Sequence, residues 1–311
     1  MTFFAGVLLL LPTLFWNQGP QSANTLRQAG IHEIAVPPDL ASAWKSVSGF
    51  AIQTADPGQL AKLPAPGITI RNRQASATQA PWVVSNGWRL LRQPDGHFYY
   101  DAPGAAAALA AAEAFMYNAQ AVIHTDEAGL APLGQMLKFL TTVGPKDLPP
   151  KVNIAFVDDG SAASGEFMNL LVRRNLLFKV VKSPDPKADL NVALGEPDYP
   201  KSEASNPALL AEKVRANLTD PKRLLRIYGS EVVISRLMGT RDQGRIYLLN
   251  YAGSKYPIEG VRVKVLGNYS QPRLENPDGS QTDLIDISRK ANALEFTVPQ
   301  LNNFAVVNLT R

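Results

Sequence analysis

A chain of 311 residues that is 45% hydrophobic and 19% charged carries apolar material for roughly two or three cores rather than one, and has nothing of a disordered composition. The formal net charge of +4 is spread along the chain, and its densest basic cluster, Lys222, Arg223 and Arg226, is short and free of interleaved aromatics, so nucleic acid is not an expected partner. The lack of cysteine excludes disulfides, thiolate metal sites and a cysteine nucleophile while leaving the compartment open.

The chain opens on MTFFAGVLLLLPTLF, an apolar run of signal-peptide length and too short to span a bilayer comfortably. Residues 1–14 therefore read as a leader, with a secreted or periplasmic destination and no stable membrane span. The run lacks a basic n-region and an A-x-A site, and the alternative is that Leu8 to Trp16 is a buried first strand.

From Leu14 short apolar runs alternate with helical segments. LFWNQG, IHEIAV, FAIQTA, GITIRN, PWVVSN, HFYYD and AVIHT are candidate strands, with SANTLRQAG and LASAWKSVSG as helices between the first of them and Asp39 as the expected cap of the second. Alternation of this kind predicts parallel pairing with covered faces. About seven strands fall short of the eight of a complete barrel, so residues 15–148 are expected to form a compact or degraded TIM-like β/α barrel. A helix from Gly104 to Asn118, started by Pro103 and rich in alanine, lies between the last two strands.

After the helical LAPLGQMLKFLTTV, the stretch GPKDLPP has the composition of a linker. VNIAFVDDG, the amphipathic ASGEFMNLLVRRN, LFKVV and DLNVAL then predict a small Rossmann-like α/β domain over 149–221. Glycines stand only at 160 and 165 of DDGSAASGE, which argues against dinucleotide binding. No cofactor is expected. Beyond Asp220, EVVISRLMG, GRIYLLNYA, GVRVKVLG, ALEFTV and FAVVNLT alternate apolar and polar positions and are separated by turns such as PDG at 277–279. They predict an antiparallel β-sandwich over 222–311.

The closing ALEFTVPQLNNFAVVNL, preceded by GRIYLLNYAG and GVRVKVLG, resembles the C-terminal β-domain of many glycoside hydrolases, and VNIAFVDDG through NVALG is similar to the glutamine-amidotransferase-like domain of trimeric beta-galactosidases. The resemblance implies an exported glycoside-hydrolase-like protein acting on a polysaccharide or glycan, with carbohydrate as partner and a homo-oligomer as an open expectation. The alternative is a catalytically inert relative that binds carbohydrate or a partner protein.

Glycoside hydrolysis needs two carboxyl groups, about 5 Å apart for retention or roughly 6.5–9.5 Å apart for inversion. The densest collection of aromatic, amide and acidic residues is Pro81 to Asp126. Asp101 and Asp126 end predicted strands there, and Glu113, inside the alanine-rich helix, would be desolvated if that helix packs inward, which suits a general acid. Trp16 and Trp88 are candidate sugar platforms, with Asn17, Asn72 and Asn86 as hydroxyl partners; for the tryptophans, core packing is the competing reading. The three histidines have no metal-ligand spacing. His124 and Asp126 share one strand face, which is too little for a metal site.

Overall fold

The computed structural model describes residues 11–70, 81–144, 148–279 and 283–311. Asn72 and residues 1–10 of the expected leader lie outside these residues, whereas Thr13 and Leu14, also assigned to that leader, stand in the buried strand β1. In chain order the elements are β1 (Thr13–Phe15), α1 (Ala23–Gln28), β2 (Glu33–Val36), α2 (Ala41–Lys45), β3 (Ala51–Thr54), β4 (Ala61–Leu63), β5 (Gly67–Ile70) and β6 (Pro81–Val84). There follow α3 (Gly87–Arg92), β7 (His97–Asp101), α4 (Ala106–Met116), β8 (Gln120–His124), α5 (Glu127–Val143), β9 (Ile154–Val157), α6 (Ala162–Arg173), β10 (Phe178–Val181), β11 (Leu190–Ala193) and α7 (Pro207–Leu218). The last part holds β12 (Leu225–Tyr228), β13 (Val233–Gly239), β14 (Gln243–Asn250), β15 (Ile258–Leu266), β16 (Arg273–Glu275), β17 (Ile285–Lys290), β18 (Ala293–Leu301) and β19 (Phe304–Thr310).

These elements fall into two compact units. The first joins residues 1–65 to 93–145, and the second joins 66–92 to 146–311. In the first unit a parallel sheet runs in the order β3-β2-β1-β8-β7-β4. Its first strand in sequence lies beside its last, because Leu14 partners Ile34 on one side and Ile123 on the other. The period of two is plainest in β7 and β8, whose side chains alternate in burial. Leu14, Ile34, Phe98, Tyr100 and Ile123 are buried on one face, while His97, Tyr99, Asp101, Gln120, Val122 and His124 stand half-buried or exposed on the other.

The buried face is the one against which the alanine-rich helix packs. Apart from its first residue, Ala106, every residue of α4 is buried, which small alanine side chains permit by letting the helix approach closely. Just past the helix's C-cap, Tyr117, stands Asn118, whose φ of 56° is the left-handed conformation in which asparagine is tolerated.

Several expectations are revised by the structure. GITIRN and PWVVSN do not extend the parallel sheet; β5 and β6 pair antiparallel with each other in a sheet of their own. In this sheet the strand missed is β4, three residues with Leu63 alone buried; in the antiparallel sheets those missed are β12, β16 and β17. Among the described residues no ladder joins β3 to β4, so the expected barrel is seen as a six-stranded parallel sheet with these two as its edges. Asp39 is also not a cap: Leu40 is the N-cap of α2, and it makes no side-chain capping bond.

The second unit contains a three-stranded parallel sheet in the order β10-β9-β11, with α6 and α7 packed together. It also contains two four-stranded antiparallel sheets, β12-β15-β18-β17 and β13-β14-β19-β16. Val261, Val263, Val265, Leu294 and Phe296 of the first share one hydrophobic core with Leu237, Ile246, Leu248, Val307 and Leu309 of the second. Alternate residues face that core, as one-sided burial demands, and the packing is that of a β-sandwich. Buried asparagines join the parts. Asn153, before β9, accepts from the Leu224 amide at 3.0 Å and donates to the Lys222 carbonyl at 3.1 Å. Asn175, after α6, accepts from the Ser235 amide and hydroxyl, both at 2.7 Å, and donates to the Val233 carbonyl. Among the described residues no helix is long and apolar enough to cross a membrane.

Candidate functional site

In α/β folds chemistry collects where parallel strands end, because loops there sit on a rigid scaffold. On the open face of the first unit's sheet, β7 and β8 end on register partners, Asp101 and His124. The Asp101 Oδ1 and His124 Nδ1 atoms are 3.0 Å apart. Tyr99 stacks on the His124 ring with 6.4 Å between centroids and 17° between planes. Phe15, from the end of β1, meets both rings edge-on, at 5.8 Å from Tyr99 and 6.3 Å from His124. Burial, and then the nearby charge of Asp101, hold the Tyr99 hydroxyl above its ordinary pKa, so it stays a proton donor.

The same face carries a cleft of about 450 Å³ lined by Thr13, Ala35, Gln53, Asp56, His97 and Gln120, among others. Asp101 and His124 are not among its walls. The face thus holds an acid–imidazole pair with aromatic surface at the strand ends and a polar hollow beside the starts of β1, β7 and β8. Asp56 is engaged locally, accepting from the Gly58 amide at 2.9 Å and the Gln59 carboxamide at 3.0 Å.

The other sequence-derived candidates are engaged in other roles. Asp126 caps α5: its Oδ1 accepts from the amides of Gly129 at 3.0 Å and Gly104 at 2.8 Å. Glu113 is fully buried in α4, on the covered side of the sheet, and accepts from the Tyr100 hydroxyl at 2.9 Å. Successive residues of a strand point to opposite faces, so the Glu113–Tyr100 bond lies behind the sheet and Asp101 in front of it. Trp16 is buried beside Leu14 and donates from Nε1 to the Ser22 hydroxyl at 2.8 Å. Asn17 follows it, exposed at the end of β1.

Asn86 and Trp88 belong to the second unit. Asn86 is fully buried, with its Oδ1 3.4 Å from an Arg89 guanidinium nitrogen. Trp88 lies under the guanidiniums of Arg89 and Arg92, at 4.4 and 5.2 Å from the ring centroid. Its indole fills the space left by Gly165 of α6, where an added Cβ would stand 2.7 Å from the ring. Arg92 then reaches the Asp158 carboxylate at 2.8 Å and the Ser161 carbonyl at 3.0 Å. This cluster docks α3 on α6.

Tyr99 and Phe15 escaped the sequence reading, as did the partnership of His124 with Asp101. The usable signal was two five-residue runs, HFYYD and QAVIH, each ending on a polar residue; parallel in-register pairing brings those ends together. Among the described residues no group of three or more histidines and acids is arranged to hold a metal ion.

No protein-family model and no curated protein matches the sequence. Solved structures do match. An alpha-L-fucosidase, isoenzyme 2 from Paenibacillus thiaminolyticus, superposes with a TM-score of 0.54 at 10% identity over 87% of this chain and 70% of its own. A rhamnosidase from Novosphingobium sp. PP1Y gives 0.44 at 9% identity over 93% and 38%, and a GH42 beta-galactosidase from G. stearothermophilus 0.40 at 7% over 86% and 65%. At these identities the likeness is one of backbone, and it rests on the fucosidase: the fold of this chain is glycoside-hydrolase-like.

Proposed function

We propose that the chain is an exported carbohydrate-binding protein of glycoside-hydrolase-like fold, and that its first unit is a barrel reduced to six strands whose open face holds a neutral segment of a polysaccharide or glycan. The neighbouring of β1 and β8 supports the barrel reading, since a first strand beside a last one is how a β/α barrel closes. Export is inferred from the apolar run that precedes β1, which begins at Thr13.

The observation that carries the binding reading is the Asp101–His124 pair backed by Tyr99 and Phe15. Sugar rings have an apolar face that packs on aromatic carbon and hydroxyls that need donors and acceptors. Tyr99 and His124 offer ring surface, and the Asp101 carboxylate, the imidazole and exposed Asn17 offer polar partners. Of the three carboxylates considered for acid–base work, Asp101 stands on the open face, while Asp126 is engaged as a helix cap and Glu113 is enclosed behind the sheet. That division of roles favours binding over hydrolysis.

Hydrolysis is the second reading, and the Asp101–His124 contact favours it. A carboxylate beside an imidazole can pass a proton to or from a substrate oxygen through either group. Calorimetric titration of the full chain with a panel of neutral oligosaccharides, alongside assays for reducing-sugar release, separates the two. Saccharide binding without release, weakened by Tyr99→Ala, is the expected result. Release abolished by Asp101→Asn would establish the hydrolytic reading, and failure of every saccharide to bind would overturn both.

A further inference from the structure

The second unit carries a separate, strongly basic hollow at one end of its paired sheets. Arg241 in the turn between β13 and β14, Gly267 and Asn268 after β15, Asn292 between β17 and β18, Arg311 after β19 and Lys151 before β9 line a cavity of about 260 Å³. Three cations and two carboxamides meet there. The Arg311 guanidinium is paired with Asp242 at 3.2 Å, whereas among the described residues no acid pairs with Lys151 or Arg241.

Lys151 is held in place. Its ammonium donates to the Tyr269 hydroxyl at 2.9 Å and lies 5.2 Å from the centre of that ring. Tyr269 itself is buried. Its ring is clamped by Gly267, which has φ +138° and leaves 2.6 Å between an ideal Cβ and the ring, so no other residue fits there. A half-buried cation fixed by a buried tyrosine, facing a second cation without an acid partner, holds positive charge in a concave, loop-built place. This arrangement attracts an anion and costs little reorganisation when one arrives.

We propose that this cavity binds the carboxylate of an acidic sugar, a uronic acid residue carried on a glycan. The planar fork of Arg241 matches a carboxylate in bidentate fashion, and Lys151 adds a point charge beside it. The amide groups of Asn268 and Asn292 suit ring hydroxyls, having both donor and acceptor atoms. The volume lies just below the roughly 300 Å³ at which pockets begin to enclose drug-sized ligands, enough to seat one sugar residue of a longer glycan. The saccharide part of this assignment rests on the carbohydrate reading above; the anion part stands on the second unit alone.

The test is calorimetric titration of the full chain with trigalacturonic acid, its methyl ester and sodium acetate. Trigalacturonate should bind, the ester should bind roughly tenfold more weakly or worse, and added salt should weaken the acid but not the ester. Arg241→Gln, at an exposed turn, should lower trigalacturonate affinity by roughly tenfold with an unchanged melting temperature, and Asn268→Ala should lower it too. Tyr99→Ala in the first unit should leave it untouched, which separates this site from the neutral-glycan face. Equal affinity for acid and ester, an unaffected Arg241→Gln protein, or loss in Tyr99→Ala alone would each overturn the proposal. Acetate binding as tightly as trigalacturonate would make this a site for free anions, and would overturn the saccharide assignment.

Discussion

Asp101 and His124 end neighbouring parallel strands as register partners, with Oδ1 and Nδ1 3.0 Å apart. The Asp101 side chain is 71% exposed and that of His124 29%, so the pair sits in a wet setting where ion pairs contribute about 0–1 kcal/mol. Its removal should be felt in binding and not in stability. His124→Gln and Tyr99→Ala are each expected to weaken neutral-oligosaccharide binding by roughly tenfold, with the melting temperature of His124→Gln unchanged. Titration and scanning calorimetry on the same samples check this; a fall in stability with unchanged affinity would make the pair a purely structural contact.

The reverse is expected behind the sheet. Tyr100 and Glu113 are both fully buried and share a 2.9 Å hydrogen bond. Tyr100→Phe deprives a buried carboxyl group of a donor, at a cost of about 1–3 kcal/mol, while saccharide binding stays as it was. Urea unfolding measures the first and titration the second. If binding falls and stability does not, Glu113 belongs to the site after all.

Asp159, just before α6, is held at about 2 by the hydroxyls of Ser161 and then Ser164. A carboxylate with a depressed native pKa stabilises the fold above its unfolded pKa and loses that contribution as pH falls through the native value. The contribution is therefore full above about pH 4 and disappears between about pH 4 and 2. Asp159→Asn should lower the melting temperature slightly above about pH 4, where the contribution is full, and converge on the parent protein near pH 2, the effect being small because the group is exposed. Melting temperatures taken across this range in both proteins are the measurement; parallel curves would remove Asp159 from the account.

Gly165 leaves room for the Trp88 ring, which an added Cβ would meet at 2.7 Å. A shift of the indole would disturb the Arg89 and Arg92 guanidiniums stacked over it. Gly165→Ala is expected to destabilise the second unit by about 1–3 kcal/mol, as overpacking does, and to shift tryptophan fluorescence. An equally stable variant with an unchanged spectrum would mean that α3 docks loosely on α6.

Much of the fold could be read from periodicity, since strands such as IHEIAV, HFYYD and GVRVKVLG are long enough to display it. β4 is only three residues with one buried side chain, too little for a period of two to register. β5 and β6 read as further parallel strands because local pattern does not encode the partner, and antiparallel pairing across a ten-residue connection leaves no short-turn signature. At the site, Asp101 was legible as an acid at a strand end. Asp126 looked the same, yet D-E-A-G is equally a helix start, and its carboxylate went to the amides of α5. Tyr99 and Phe15 were illegible because their importance comes from register between strands distant in sequence.

The pairing of Leu14 with Ile123 has a consequence for synthesis. The central strand of the first sheet leaves the ribosome about 110 residues before the neighbour that completes it, and in between the chain builds a segment, 66–92, of the other unit. Such distant pairing is slow to form, and for that interval the nascent β1 to β4 offer unfilled edges on which other chains can nucleate. Neither unit can be obtained as a contiguous fragment. A chain truncated at Ala65 would display Leu14 and Ile34 without α4 to cover them, and would be retained by chaperones or aggregate, whereas synthesis through Val143 supplies the covering helices and the missing strands together.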